Sequence, residues 1–213
     1  MAFSYVGNFP NQQVSNSGVL SLDDINNLES TGELGGSLEL IAEQNHSSDV
    51  ADIDFTSIKQ NKYDVHLLLI KNLSAGAASQ STGIQLYESG VLETASVYQY
   101  ANWYNNLGGG GSEIKSTGYK HIRLFNTSSQ AINSINSYIY FYNLGDSSKY
   151  SFTTMQNFME ANSGTFYSYF GGGVLPQASE VDGIRIDSGG TNNYTAFEIK
   201  LYGVKQIWVT LDY

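Results

Sequence analysis

Three histidines, twenty carboxylates and a large stock of serine are the residues from which chemistry could be built in this 213-residue chain. His46, His66 and His121 never stand at i,i+2 or i,i+4, the spacings that put two ligands on one face of a strand or helix. His66 and His121 fall on expected strands, where a packed, hydrogen-bonded structural histidine is the expected role. A nucleophilic triad needs a serine, a base and an orienting acid. Serines abound, but no nucleophile-elbow pattern frames one. Asp52 and Asp54 share one face of a strand, about 7 Å apart by strand geometry, which falls in the range of glycosidase pairs. Alternating acids on a wet face give the same pattern, and that is the expectation here. Asp146, Asp182 and Asp187 are loop carboxylates of the kind calcium takes, without an EF-hand spacing. Gly108–Gly111 lacks the lysine and helix of a phosphate loop. With no cysteine there is no thiolate ligand or nucleophile. The expectation is a protein that is not an enzyme, with no cofactor and no metal.

Aromatic residues are the other resource: sixteen Tyr, ten Phe and two Trp. Tyr98, Tyr100, Trp103 and Tyr104 precede the glycine run. Tyr138, Tyr140 and Tyr142 share one strand face, opposite Ile139 and Phe141. Phe166, Tyr167, Tyr169 and Phe170 form a third group, and Trp208 stands near the end. Such rings can fill a core, build a subunit interface or stack on sugars. The candidate interaction surface is Tyr98, Tyr100, Trp103, Tyr104, Tyr138, Tyr140, Tyr142, Tyr167, Tyr169 and Trp208. Phe3, Tyr5, Val6 and Phe9 punctuate an otherwise polar start, as in an arm that docks on another subunit.

Charge narrows the partners. The net charge is −10. A nucleic-acid binder needs a cationic footprint to neutralise phosphates, and no Lys/Arg cluster offsets the repulsive field, so nucleic acid is not expected. The same field disfavours anionic membranes. The longest apolar run, residues 67–70, is far short of a bilayer span, so no membrane insertion is expected. The first residues lack the basic and apolar regions of a secretory signal.

The elements that must carry these residues are strands. In residues 171–204, Ile184 and Ile186 alternate with Arg185 and Asp187. Phe197, Ile199 and Leu201 alternate with Glu198 and Lys200. Period-two patterning gives each segment one apolar face, and Ser188–Asn193 is turn chemistry. The expectation is an antiparallel pair whose greasy face needs a second sheet. Residues 64–73 are apolar on both faces, as in a strand covered on both sides. About ten short strands succeed one another between Gly-, Asn- and Ser-rich turns, without a repeat of fixed period. Residues 105–112 (NNLGGGGS) are the expected mobile loop. Residues 21–28 carry a capping signal and apolar residues every three positions, so one short helix is expected there. The fold class is all-β: a two-sheet antiparallel β-sandwich, most simply a jelly roll, with that N-terminal helix. The division expected is an arm over residues 1–20 and one domain over 21–213.

Several segments carry a family likeness. Residues 19–28 (VLSLDDINNL), 34–41 (LGGSLELI), 63–67 (YDVHL), 142–152 (YNLGDSSKYSF), 172–176 (GGVLP), 181–186 (VDGIRI) and 200–205 (KLYGVK) resemble small virion proteins of tailed bacteriophages, many from marine and cyanobacterial hosts. The likeness runs from Val19 to Lys205, and its motifs are structural. It implies a virion component made in the host cytoplasm, either a tail fibre or receptor-binding piece or a capsid decoration (cement) protein. It implies a homo-oligomer, a trimer in the first instance, with other virion proteins as partners and host cell-surface glycan as a ligand of a lectin-like alternative. Residues 206–213 extend beyond the usual family ending.

Overall fold

The structure is a computed structural model, and it describes residues 37–77, 81–127, 129, 134–161, 163–190 and 193–205, together with Asp23. The expected arm with Phe3, Tyr5, Val6 and Phe9, the helix over 21–28 apart from Asp23, and Trp208 lie outside the described residues. Contacts group Met1–Glu39 and Leu40–Tyr213 as two separate units. The described strands belong to the second, apart from Leu38 and Glu39, the two residues that open the first strand.

Thirteen strands run in chain order among the described residues: β1 (Leu38–His46), β2 (Asp52–Phe55), β3 (Val65–Ala75), β4 (Ser81–Glu88), β5 (Val91–Leu92), β6 (Tyr98–Asn106), β7 (Gly111–Tyr119), β8 (Ile122–Asn126), β9 (Ile135–Tyr142), β10 (Tyr150–Glu160), β11 (Phe166–Ala178), β12 (Val181–Asp187) and β13 (Tyr194–Val204). They form two sheets. The larger has eight strands in the order β1-β13-β3-β9-β10-β11-β6-β7. The smaller has the order β2-β12-β4-β5, with β8 beside β4 as well. Every described pairing between strands is antiparallel. The two-sheet all-β expectation therefore holds.

Alternation builds the core between the sheets. Leu68, Ile139, Ile199 and Leu201 of the larger sheet are sealed, as are Ile84, Leu86, Ile122, Ile184 and Ile186 of the smaller one. Burying a side chain of this size stabilises by about 1.5–3 kcal/mol, which is why the period-two pattern dictates which way each strand faces. β3 lies inside its sheet between β13 and β9, as its apolar run predicts. Its outer face is only partly covered, with Leu67 buried and Leu69 36 % exposed.

Two expectations need correction. β12 and β13 do not pair: β12 lies between β2 and β4, and β13 between β1 and β3. The segment between them crosses from one sheet to the other. The glycine run is no long mobile loop. Asn106 N–H donates to the Gly110 carbonyl at 3.0 Å, closing a tight turn between β6 and β7. Gly109, at φ 82°, supplies the left-handed residue that turn requires. A second glycine run, Gly171–Gly173, lies within a strand: β11 runs straight through it. A Cβ on Gly173 would lie 2.5 Å from Ile122 Cγ2 and 2.8 Å from the Gln99 carbonyl, so glycine is what allows β8 and β6 to approach.

β7 ends the larger sheet among the described strands, and on it Lys115 Nζ meets Glu113 Oε2 at 2.7 Å.

Candidate functional site

The aromatic residues separate into core, outer face and cleft. On β6, Tyr98, Tyr100, Asn102 and Tyr104 point inward, and Trp103 points out. Tyr98 and Tyr100 are thus core residues and no interaction surface. The Tyr98 hydroxyl accepts the Leu86 N–H at 2.8 Å and donates to the Glu93 carbonyl at 3.1 Å, which satisfies it inside. Tyr169 is buried too, for the same reason of strand parity.

The outward residues of the larger sheet line up across the strands. One row runs Lys200, Leu69, Tyr138, Gln156, Phe170, Trp103, Glu113. The neighbouring row runs Tyr202, Leu67, Tyr140, Thr154, Gly172, Ala101, Lys115. Beyond it come Val65, Tyr142, Phe152, Val174 and Gln99. Leu69, Trp103, Tyr138, Phe152 and Phe170 are each 36–46 % exposed. Tyr138 donates to Gln156 Oε1 across the strands, and Tyr142 lies 3.3 Å from Thr154 Oγ1. Trp103 Nε1 donates to Asn105 Oδ1 at 3.0 Å, and its ring rests on the Gly111 backbone, so the indole is fixed while one side stays wet. Where Ala101 and Gly172 carry little side chain, the face dips into a hollow of about 730 Å³ beside Phe152 and Val174.

A cleft of about 560 Å³ lies at the far end of the inner face, where β6, β7, β10 and β11 meet β8. Tyr104, Tyr167 and Tyr169 line it, with Ile114, Arg123, Asn126 and Met159. The three rings sit close: Tyr104 to Tyr169 at 5.4 Å, Tyr104 to Tyr167 at 5.9 Å, Tyr167 to Tyr169 at 6.1 Å. Burial pushes the Tyr169 hydroxyl up to about 12, so it stays a neutral donor. Arg123 Nη2 donates to Asn126 Oδ1 at 2.7 Å, while its Nε is buried with no hydrogen-bond partner among the described residues. β8 is held there because Asn102 and Asn157 donate to the Arg123 and Leu124 carbonyls, at 2.7 and 3.2 Å.

No family model, no curated protein and no solved structure matches this chain. The site must therefore be read from its own chemistry.

The remaining chemical residues are committed elsewhere. Arg185 grips Asp54 bidentately, at 2.7 and 2.8 Å, and reaches Asp52 at 3.5 Å. Burial works to raise the Asp54 carboxyl, but Arg185 and the Tyr87 hydroxyl outweigh it and hold it below the usual range. Held in this way, Asp54 stays charged and is no proton donor for glycoside cleavage. Asp182, Asp187 and Asp146 are separately engaged, by Gly90 N–H, His121 and Lys149. His66 Nε2 lies 2.8 Å from the Ile58 carbonyl, and burial lowers its pKa, as for a structural histidine.

One arrangement was invisible in the sequence. Ser81 Oγ lies 3.1 Å from His121 Nε2, and His121 Nδ1 lies 2.5 Å from Asp187 Oδ2. This is the order of a serine–histidine–acid triad. The imidazole, however, is wholly buried. It lies on Gly83, where an added Cβ would be 2.3 Å from the ring, and Tyr119 packs edge-on at 5.0 Å. Lys120 adds a cation 3.6 Å from Asp187, and the Gly189 N–H caps Asp187 Oδ1 at 3.1 Å. The cluster ties β4, the β7–β8 link and the end of β12 together. It is a lock between segments.

Proposed function

We propose that this chain is a non-enzymatic binding and assembly protein, of the kind built into the virions of tailed bacteriophages, and that it works as a homotrimer. The observation that carries this reading is the outer face of the eight-stranded sheet. Seven inter-strand gaps of about 4.8 Å by seven residues of about 3.4 Å give roughly 800 Å². That is about what one partner contributes to a standard protein interface. The occupant we propose is a second copy of the chain, because the face is ruled by neutral aromatics while the rest of the molecule is strongly acidic. Homo-oligomers close by point-group symmetry, and a trimer is the closed state we propose.

The winding supports the same class. Strands β1, β13, β3 and β9 are neighbours in one sheet, and β2, β12, β4 and β8 in the other. Taken in chain order these eight wrap back and forth as in a jelly roll. β5–β7 and β10–β11 read as insertions that widen the larger sheet. Made in the host cytoplasm, such a protein would join other virion proteins as a tail-fibre, receptor-binding or capsid-decoration component. The tyrosine cleft favours receptor binding and, with it, the carbohydrate-recognition reading. Tyrosine rings and neutral hydroxyls suit the flat faces and hydroxyl rims of sugars.

Light scattering at micromolar concentration tests the assembly. The wild type should give three times the chain mass, and Tyr138→Asp with Phe170→Asp should give one. A wild-type monomer would overturn the reading. Cryo-electron microscopy of the particle locates the protein on tail or shell.

A further inference from the structure

We infer that the tyrosine cleft binds a carboxylate-bearing sugar, such as a uronic acid residue of a surface polysaccharide. This deepens the carbohydrate-recognition reading and rests on it. Three features carry the step from sugar to acidic sugar. First, Arg123 is the cation that lines the cleft, and none of the described lining residues is acidic. In a chain of net charge −10, a guanidinium without a carboxylate beside it is out of keeping with the surroundings. Second, its one hydrogen bond in the cleft is to neutral Asn126, and its Nε is buried and unpaired among the described residues. A guanidinium has five N–H donors and the described residues take up one, so donors remain for an acceptor that arrives with the ligand. A carboxylate meets a guanidinium through two parallel hydrogen bonds. Third, the rings of Tyr104, Tyr167 and Tyr169 wall the same space at mutual distances of 5.4–6.1 Å. They offer apolar faces to sugar C–H groups and hydroxyls to the ring substituents. The volume, about 560 Å³, suits one or two sugar residues. Asn126 holds the guanidinium in place before the ligand comes, which lowers the ordering cost of binding.

The test is calorimetric titration of the full chain with three probes: a short oligogalacturonate, its methyl ester, and a neutral oligosaccharide of equal length. The oligogalacturonate should bind at least tenfold more tightly than the ester. Arg123→Gln should remove that preference while Tyr104→Ala weakens all three. The comparison of acid with ester on the unaltered protein stands even if a variant fails to fold. Equal binding of acid and ester overturns the inference and leaves the carbohydrate reading intact. Binding of none of the three overturns both. Tight binding of a peptide carboxyl terminus, with no sugar bound, replaces the sugar by a protein partner and overturns both as well.

Discussion

Replacing His121 by alanine should destabilise the protein by about 3–5 kcal/mol, the range for emptying the site of a large buried side chain. In a domain of this size that lowers the melting temperature by about 6–20 °C. The loss has two parts. A fully buried ring leaves a void against Gly83 and Tyr119. Among the described residues, Lys120 and the Gly189 N–H are then what remains to answer the Asp187 carboxylate. Ser81→Ala removes a single hydrogen bond and should cost about 1 kcal/mol. The same cluster sets an acid limit. Burial works to raise the Asp187 carboxyl, but His121, Lys120 and Gly189 outweigh it, and it titrates below its ordinary value of 3.8. A depressed carboxyl contributes stability that is complete above the unfolded-state value and lost as the pH falls through the folded one. Stability should therefore drop below about pH 4, and less steeply in Asp187→Asn. A melting temperature within 2 °C of wild type, about a 1 kcal/mol change, would refute the lock in His121→Ala. Labelling of Ser81 by a fluorophosphonate would make the cluster a nucleophile instead.

Gly173→Ala should cost about 3 kcal/mol, the upper end of the usual range for overpacking. The new methyl would meet Ile122 Cγ2 at 2.5 Å and the Gln99 carbonyl at 2.8 Å. The side chain can rotate, but the carbonyl belongs to the β6 backbone, paired with β11 at Val174. Relief must come from moving a strand. The companion Gly90→Ala faces open space, so only its φ of 80° counts against it, and it should cost less. Chemical denaturation of both variants checks the order. Equal midpoints would mean that β8 does not lie against β11 as described.

These two sites show where the sequence was legible. In β9 the tyrosines alternate with Ile139 and Phe141, so the apolar partner fixes which face is which. In β6 the alternation is between tyrosine and Gln, Ala, Trp or Asn, and tyrosine is at home on either face. Parity put Tyr98 and Tyr100 inside, and composition could not say so. The separation of β12 from β13 was hidden for a related reason. A six-residue Gly/Asn turn serves a hairpin and a sheet-to-sheet crossing equally well. The His121 cluster joins residues 40 and 66 positions apart, and no local spacing encodes that. Arg123 stands between Ile122 and Leu124, and nothing in that spacing sets it apart. Only the meeting of β8 with β6 and β11 turns it toward a cavity.

The strand that closes the larger sheet has a last consequence. Among the described strands β7 has no outer partner, and such an edge is a template onto which another chain could add strand after strand. Glu113 and Lys115, paired at 2.7 Å on that strand, would have to be stripped of water for such growth to proceed. Edge-to-edge growth from β7 is thereby disfavoured, as in other sheets whose edge strand carries charge.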